Sequence, residues 1–326
     1  VSSLSADTGI SSSDFVTKTA LQTVTGSYTG TLGTGEKIQV SADGNTWVQA
    51  TISGNSWAAT GVSLLNGSGS LSVRTMDAAG NTTTGVGQDY VLDTVAPTVL
   101  SAVTSLSADT GISSSDFVTN MALQTVTGSY TGELAAGDAI QVSTDGNTWI
   151  TATASGGNWA ASGVTLLSGS GALRLRTVDT AGNVTSGTWH GYVLDTGAPT
   201  VVATVSSLSA DTGISSSDFV TKTALQTVTG SYTGTLGTGE KIQVSADGNT
   251  WVQATISGNS WAATGVSLLN GSGSLSVRTM DAAGNTTTGV GQDYVLDTVA
   301  PTVLSAVTSL SADTGISSSD FVTNMA

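Results

Sequence analysis

The chain has 326 residues, with 23 Asp and Glu against 8 Lys and Arg, a formal net charge of −15, and no cysteine. Only 10% of it is charged, and no cluster of lysine or arginine is present to neutralise phosphates, which excludes nucleic acid and anionic membrane surfaces as partners. No apolar run is long enough for direct membrane insertion, and dense Gly, Ser and Thr without thiols favours an exported chain that folds without disulfides.

Taken in order, Val1-Ser2-Ser3-Leu4 reads as the remainder of a first strand, broken by the turn formers of residues 7–14. Residues 20–28 are rich in β-branched and aromatic side chains and read as a strand, with Gly26 marking a bulge. A loop follows at 30–35. Residues 37–41 alternate, placing Ile38 and Val40 on one face. Asp43-Gly44-Asn45 is a hairpin signal, and 47–51 is its return strand. Ser56-Trp57-Ala58 opens another strand, and residues 70–76 alternate again around Leu71 and Val73. Asp77-Ala78-Ala79-Gly80-Asn81 makes a tight turn before the closing strand at 89–93. About seven short strands with frequent turn signals and no helical periodicity predict an immunoglobulin-like β-sandwich.

The pattern repeats. Leu92-Asp93-Thr94-Val95-Ala96-Pro97 returns at residues 194–199 and 296–301, each time 102 residues later, and these segments hold all three prolines. Residues 205–326 reproduce residues 1–122, so neighbouring modules alternate in sequence. The expected fold is all-β, a tandem array of immunoglobulin-like modules placed end to end. Its expected parts are a module at 1–95 with a truncated first strand, modules at 96–197 and 198–299, and an opening strand of a fourth, incomplete module at 300–326. Opening without Met and stopping within a repeat, the sequence reads as an excerpt whose export signals lie outside it.

Few residues suggest catalysis. His190 is the single histidine and has no counterpart in the other modules, so it reads as a surface strand residue beside Trp189, and no enzymatic role is expected. Gly30-Thr31-Leu32-Gly33-Thr34-Gly35-Glu36-Lys37 only superficially matches a phosphate loop, since no helix follows. Asn66, Asn81 and Asn183 head glycosylation-type triplets that arise by chance in a Ser/Thr-rich chain. Trp47 and Trp57 recur in every module and are expected in the core, leaving Trp189 for the alternative reading of a carbohydrate- or ligand-binding module.

The acidic positions say more. Strand directions in such a sandwich place Asp7, Asp14 and Asp93 at one end of the first module, facing Asp179 and Asn183 at the near end of the second. The same reasoning sets Asp109, Asp116 and Asp195 against Asp281 and Asn285. These oxygen-only donor sets suit Ca²⁺, whereas turn formation accounts for Asp43, Asn45 and, as an alternative, Asp77 and Asn81. The three motifs Leu92-Asp93-Thr94-x-Ala96-Pro97, residues 108–117, and Asp179-x-Ala181-Gly182-Asn183 together resemble the bacterial Ig-like repeats of giant type I-secreted adhesins and biofilm-associated proteins. The resemblance implies an extracellular or cell-surface stalk or fibre, stiffened by Ca²⁺ at its joints, partnered by its own neighbouring modules and by other copies. It maps calcium ligands onto Asp7, Asp14, Asp77 and Asp93, with the copies Asp211, Asp218 and Asp297. Lys18 stands where the family's segment is often more acidic, which speaks against an extra site there.

Overall fold

The computed structural model describes residues 1–314, 316–317 and 319–324, and these residues form strands and turns without a helix. In the first module, β1 (Ser3–Leu4), β3 (Leu21–Ser27), β7 (Ser56–Ser63) and β6 (Thr51–Ser53) make one sheet in the order β1-β3-β7-β6. The facing sheet runs β2-β10-β8-β4-β5, from β2 (Val16–Thr17), β10 (Gln88–Leu92), β8 (Gly67–Met76), β4 (Lys37–Ser41) and β5 (Val48–Gln49). A short β9 (Thr82–Thr84) pairs with β8. The opening stretch therefore splits: β1 lies antiparallel to β3, whereas β2 crosses to the other sheet and lies parallel to β10.

The period-2 patterning explains what is inside. Val24, Ile38, Val40, Trp57, Ala59, Leu71, Tyr90 and Leu92 form one buried cluster, each such side chain contributing about 1.5–3 kcal/mol when large and fully enclosed. Three expectations need correction. The β3–β7 register shifts between Gln22 and Thr23, not at Gly26. Gly26 instead leaves room for Trp57, whose ring would come within 2.2 Å of any Cβ placed there. Trp47 is not a core residue: it is half-exposed, its face covered by the Arg74 guanidinium at 3.9 Å and its Nε1–H donating to Gly44 O at 3.2 Å. The return strand is also divided. Ala50 donates its N–H to Ile38 O, and the chain then passes from the sheet of β5 to that of β6, leaving Trp47 outside the sandwich.

The second module, β11 (Leu100–Leu106) to β20 (His190–Leu194), and the third, β21 (Val202–Leu208) to β30 (Gln292–Leu296), repeat both strand orders. Each has its own core, around Trp159 and Trp261 respectively. Residues 1–198 with the turn 281–285 constitute one compact unit, and the remainder, from Pro199 to Met280 and from Thr286 onward, constitutes a second. The expected opening strand at 300–326 is absent among its described residues, because an isolated strand finds no partner for its N–H and C=O groups. Positions 315, 318, 325 and 326 of that segment lie outside the described residues.

Candidate cation sites and the first module junction

The segment between β1 and β2 is pinned by side chains rather than by a ladder. Gln22, buried on β3, donates through Nε2 to Ala6 O and Thr19 O and accepts through Oε1 from the Ala6 N–H and the Ser5 hydroxyl. Within the loop, Asp7 Oδ2 accepts the Phe15 N–H at 3.0 Å and Asp14 Oδ1 accepts the Val16 N–H at 3.0 Å. Phe15 has φ of 62°, a left-handed conformation that strains a bulky residue. Its ring is buried and its C=O accepts the Val91 N–H. Asp7 Oδ1 is buried with no hydrogen-bond partner. Burial raises the Asp7 pKa above its usual value, the Phe15 N–H opposes this, and the neighbouring Asp14 carboxylate adds to the rise.

The same loop forms in the later copies. Asp109 with Asp116 and Asp211 with Asp218 keep both backbone contacts, and Asp109 Oδ1 and Asp211 Oδ1 are likewise unpartnered. A buried carboxylate oxygen without a donor, beside a second carboxylate, fits a hard cation. Asp7 and Asp14 with their copies are thus a donor set compatible with Ca²⁺.

This loop has a pH signature of definite sign. A carboxyl whose pKa is raised on folding binds its proton more tightly in the folded state, so its contribution weakens as pH climbs from 3.8 through the raised value. Asp43, Asp145 and Asp247 act oppositely. They are held well below 3.8 first by the backbone N–H groups of Thr46, Thr148 and Thr250, and their contribution is lost as pH falls below 3.8. In EDTA, Asp7→Asn with Asp109→Asn is therefore expected to melt higher than wild type at neutral pH, with the difference vanishing near about pH 4. Equal melting curves at neutral pH would show that the two carboxylates carry no such burden.

The second part of the site is the junction between the first two modules. The turn after β18 (Gly169–Val178) is closed by its own side chains: Asp179 Oδ1 accepts the Asn183 N–H and Oδ2 accepts Asn183 Nδ2–H, both at 2.8 Å. The first module then grips this turn. Thr8 Oγ1 donates to Ala181 O at 2.7 Å, Lys18 Nζ donates to Gly182 O at 2.6 Å, and Asn183 Nδ2 also donates to Asp93 O at 2.8 Å. Backbone packing is equally close, since a Cβ on Gly9 would sit 2.1 Å from Thr180 O. Burial records the docking. Ala79, at the uncovered end of the first module, is exposed, whereas its counterpart Ala181 is fully buried. The turn 281–285, in the same compact unit, is held alike: Thr110 Oγ1 donates to Ala283 O and Asn285 Nδ2 to Asp195 O.

The structure thus brings Asn183 to Asp93, and Asn285 to Asp195, but divides the expected carboxylates. Among the described residues, no three of His, Asp or Glu gather tightly enough to hold a metal. Asp7 and Asp14 form one group. Asp93 and Asp179 belong to another, together with Asp138, whose pKa is raised by burial and by both of those charges. Asp77 and Asn81 form the expected self-closing turn, with Asp77 held below its usual pKa by the Asn81 side chain and N–H. Asp93, Asp195 and Asp297 each cap the linker, accepting the N–H two residues onward. Sequence reasoning missed Asp138, which aligns with Glu36, and it missed Thr8. It noted Lys18 only as an anomaly, although its replacement by Asn120 in the next module was a legible signal.

Removing the grip through Thr8→Val with Lys18→Ala is expected to speed elastase cleavage at residues 94–96 about tenfold, because each lost hydrogen bond is worth about 0.5–3 kcal/mol. An unchanged cleavage rate would show that these contacts do not restrain the linker. The His190 ring stacks on Phe117 at 3.8 Å, and its Nδ1 faces Gly191 O.

Paired, mainly antiparallel sheets, repeated three times with proline linkers, define a protein of tandem immunoglobulin-like sandwiches. The bacterial Ig-like domain model matches residues 96–196 and 198–298, and the chain belongs to that family. No curated protein matches it. Solved structures similar to it include a Ca²⁺-stabilised adhesin with which an Antarctic bacterium binds ice, at 22% identity and TM-score 0.34, covering 92% of this chain and 74% of that one. A 1.5-MDa bacterial ice-binding adhesin matches at 19% identity and TM-score 0.30, covering 85% and 91%. The BSP domain of a biofilm associated protein matches at 11% identity and TM-score 0.21, covering 86% and 66%.

Proposed function

We propose that this chain is a run of stalk or fibre modules from an extracellular bacterial adhesin or biofilm matrix protein, structural rather than enzymatic, with Ca²⁺ stiffening its joints. The observation that carries this reading is the gripped junction. A linker of three residues, Thr94, Val95 and Ala96, separates Asp93 from Pro97, and three side-chain hydrogen bonds span it. Such a joint resists bending, which serves a spacer and has no evident use in a catalyst.

Asp7 and Asp14, with Asp109, Asp116, Asp211 and Asp218, are the residues that would hold the ion within each module, the unpartnered Asp oxygen being the supporting feature. Asp93, Asp138 and Asp179 would form a second acidic locus at the first joint, with the Lys18 ammonium bonded to Gly182 O of the same turn. When bound, Ca²⁺ supplies the charge that lets buried carboxylates stay ionised. The residues' own part is to fix the loop through the Phe15 and Val16 N–H groups. Affinity of about 10⁻⁴–10⁻³ M, typical of extracellular modules, suits the surroundings of a cell rather than its cytosol. Isothermal titration of EDTA-stripped protein with Ca²⁺ tests this directly. Saturable heats in that range are expected, and a flat titration would remove calcium from the proposal.

A further inference from the structure

The alternation of modules changes one sheet face in a coordinated way. Where the first and third modules carry Ser72 and Ser276, the second carries Arg174; where they carry Gly87 and Gly291, it carries Trp189; where they carry Asp89 and Asp293, it carries Gly191. Together these changes exchange a small, acidic surface for an aromatic, basic one. Arg174 and Trp189 line a groove of about 570 Å³, with Trp149, Gly146, Ser186 and Gly187. Trp189 is 67% exposed, although burying an indole is worth far more than leaving it in water. Trp149 is half-buried under the Arg176 guanidinium at 4.1 Å, and Arg176 is itself fixed by Gln141. Arg174 is exposed, and its guanidinium makes no hydrogen bond or ion pair among the described residues.

The second module has no lysine, because Asn120 and Ala139 replace Lys18 and Lys37, so Arg174 and Arg176 are its only permanently charged cations. Arg174 lines the groove and Arg176 covers the Trp149 ring that also lines it, in a chain of net charge −15. Asp145, next to the groove-lining Gly146, is engaged with its own turn, its Oδ1 accepting from the Asn147 and Thr148 N–H groups and the Ser143 hydroxyl. The exposed Trp189 indole suits the C–H face of a pyranose ring, and an unpaired guanidinium suits a carboxylate.

We infer that the Trp149–Arg174–Trp189 groove of the second module is a binding site for an acidic polysaccharide, with a sugar ring on the Trp189 indole and a uronate carboxylate on Arg174. The inference is independent of the stalk reading: a stalk needs no such groove, and the groove could serve any surface protein.

The test uses the full chain in EDTA, so that calcium cannot bridge anion to anion. The probes are polygalacturonate and its methyl-esterified form, which keeps the backbone and loses the charge. Quenching of tryptophan fluorescence and retardation in affinity gels should report binding to polygalacturonate. The ester should bind about tenfold more weakly or worse. Arg174→Ser and Trp189→Gly install residues that the neighbouring modules already carry, so the sandwich accommodates them. Each should weaken binding about tenfold, and the pair should abolish it. No binding by the wild-type chain, equal binding of the ester, or full binding by the double variant would each overturn the proposal.

Discussion

Calcium added to the EDTA-treated chain is expected to raise its melting temperature, and Asp7→Asn, Asp109→Asn and Asp211→Asn together are expected to abolish the rise. The magnitude follows from linkage. With affinity of about 10⁻⁴–10⁻³ M, cation at about 10 mM stabilises each occupied module by roughly 1.4–2.7 kcal/mol. For modules of this size each kcal/mol shifts melting by about 4–8 °C, so the effect is readily seen by calorimetry. The Asp7 oxygen that has no donor is the reason to expect it. The Asn variants keep an oxygen for the Phe15 N–H but lose the charge, so they separate calcium binding from loop folding. A melting temperature indifferent to calcium would sink the idea, as would a triple variant that still responds.

Trp57→Ala is expected to be the most damaging single substitution in the first module. The side chain is 3% exposed, lies against Gly26, and donates its indole N–H to Ser27 O at 3.3 Å. Its removal leaves a large cavity and an unmatched carbonyl, at a cost of about 3–5 kcal/mol. Trp47→Ala should cost about 1 kcal/mol, because it loses mainly the stacking with Arg74 on a wet surface. Scanning calorimetry of the full chain distinguishes them: one module should melt early in the first variant and barely shift in the second. Similar shifts in both would mean that the outer tryptophan is as structural as the inner one.

That contrast shows where sequence reading reaches its limit. Both tryptophans recur in every module, and recurrence alone placed both in the core. Nothing local states that the chain changes sheets at Ala50, which is what leaves Trp47 outside. The alternation around Ile38, Val40, Leu71 and Val73 was legible, since a half-buried sheet imposes period two on its own sequence. The two-residue β2 was not. Its parallel pairing with β10 depends on residues about seventy-five positions away.

The Asp7 loop divides the two kinds of information most sharply. Its fourth copy, at residues 313–322, has no sandwich around it. Even so, Phe321 keeps φ of 61° and donates its N–H to Asp313 Oδ2, and Asp313 Oδ1 is again unpartnered. The sequence by itself determined the repeat and the strand faces, which are written in spacing and alternation, and this loop, whose Phe N–H is met by an Asp eight residues earlier. Only the tertiary structure decided that Thr8 and Lys18 would grip a turn 173 and 164 residues away. It likewise brought Arg174 and Trp189 into one groove. Those contacts exist because packed sheets bring distant loops and strands together, and no local pattern encodes which ones meet.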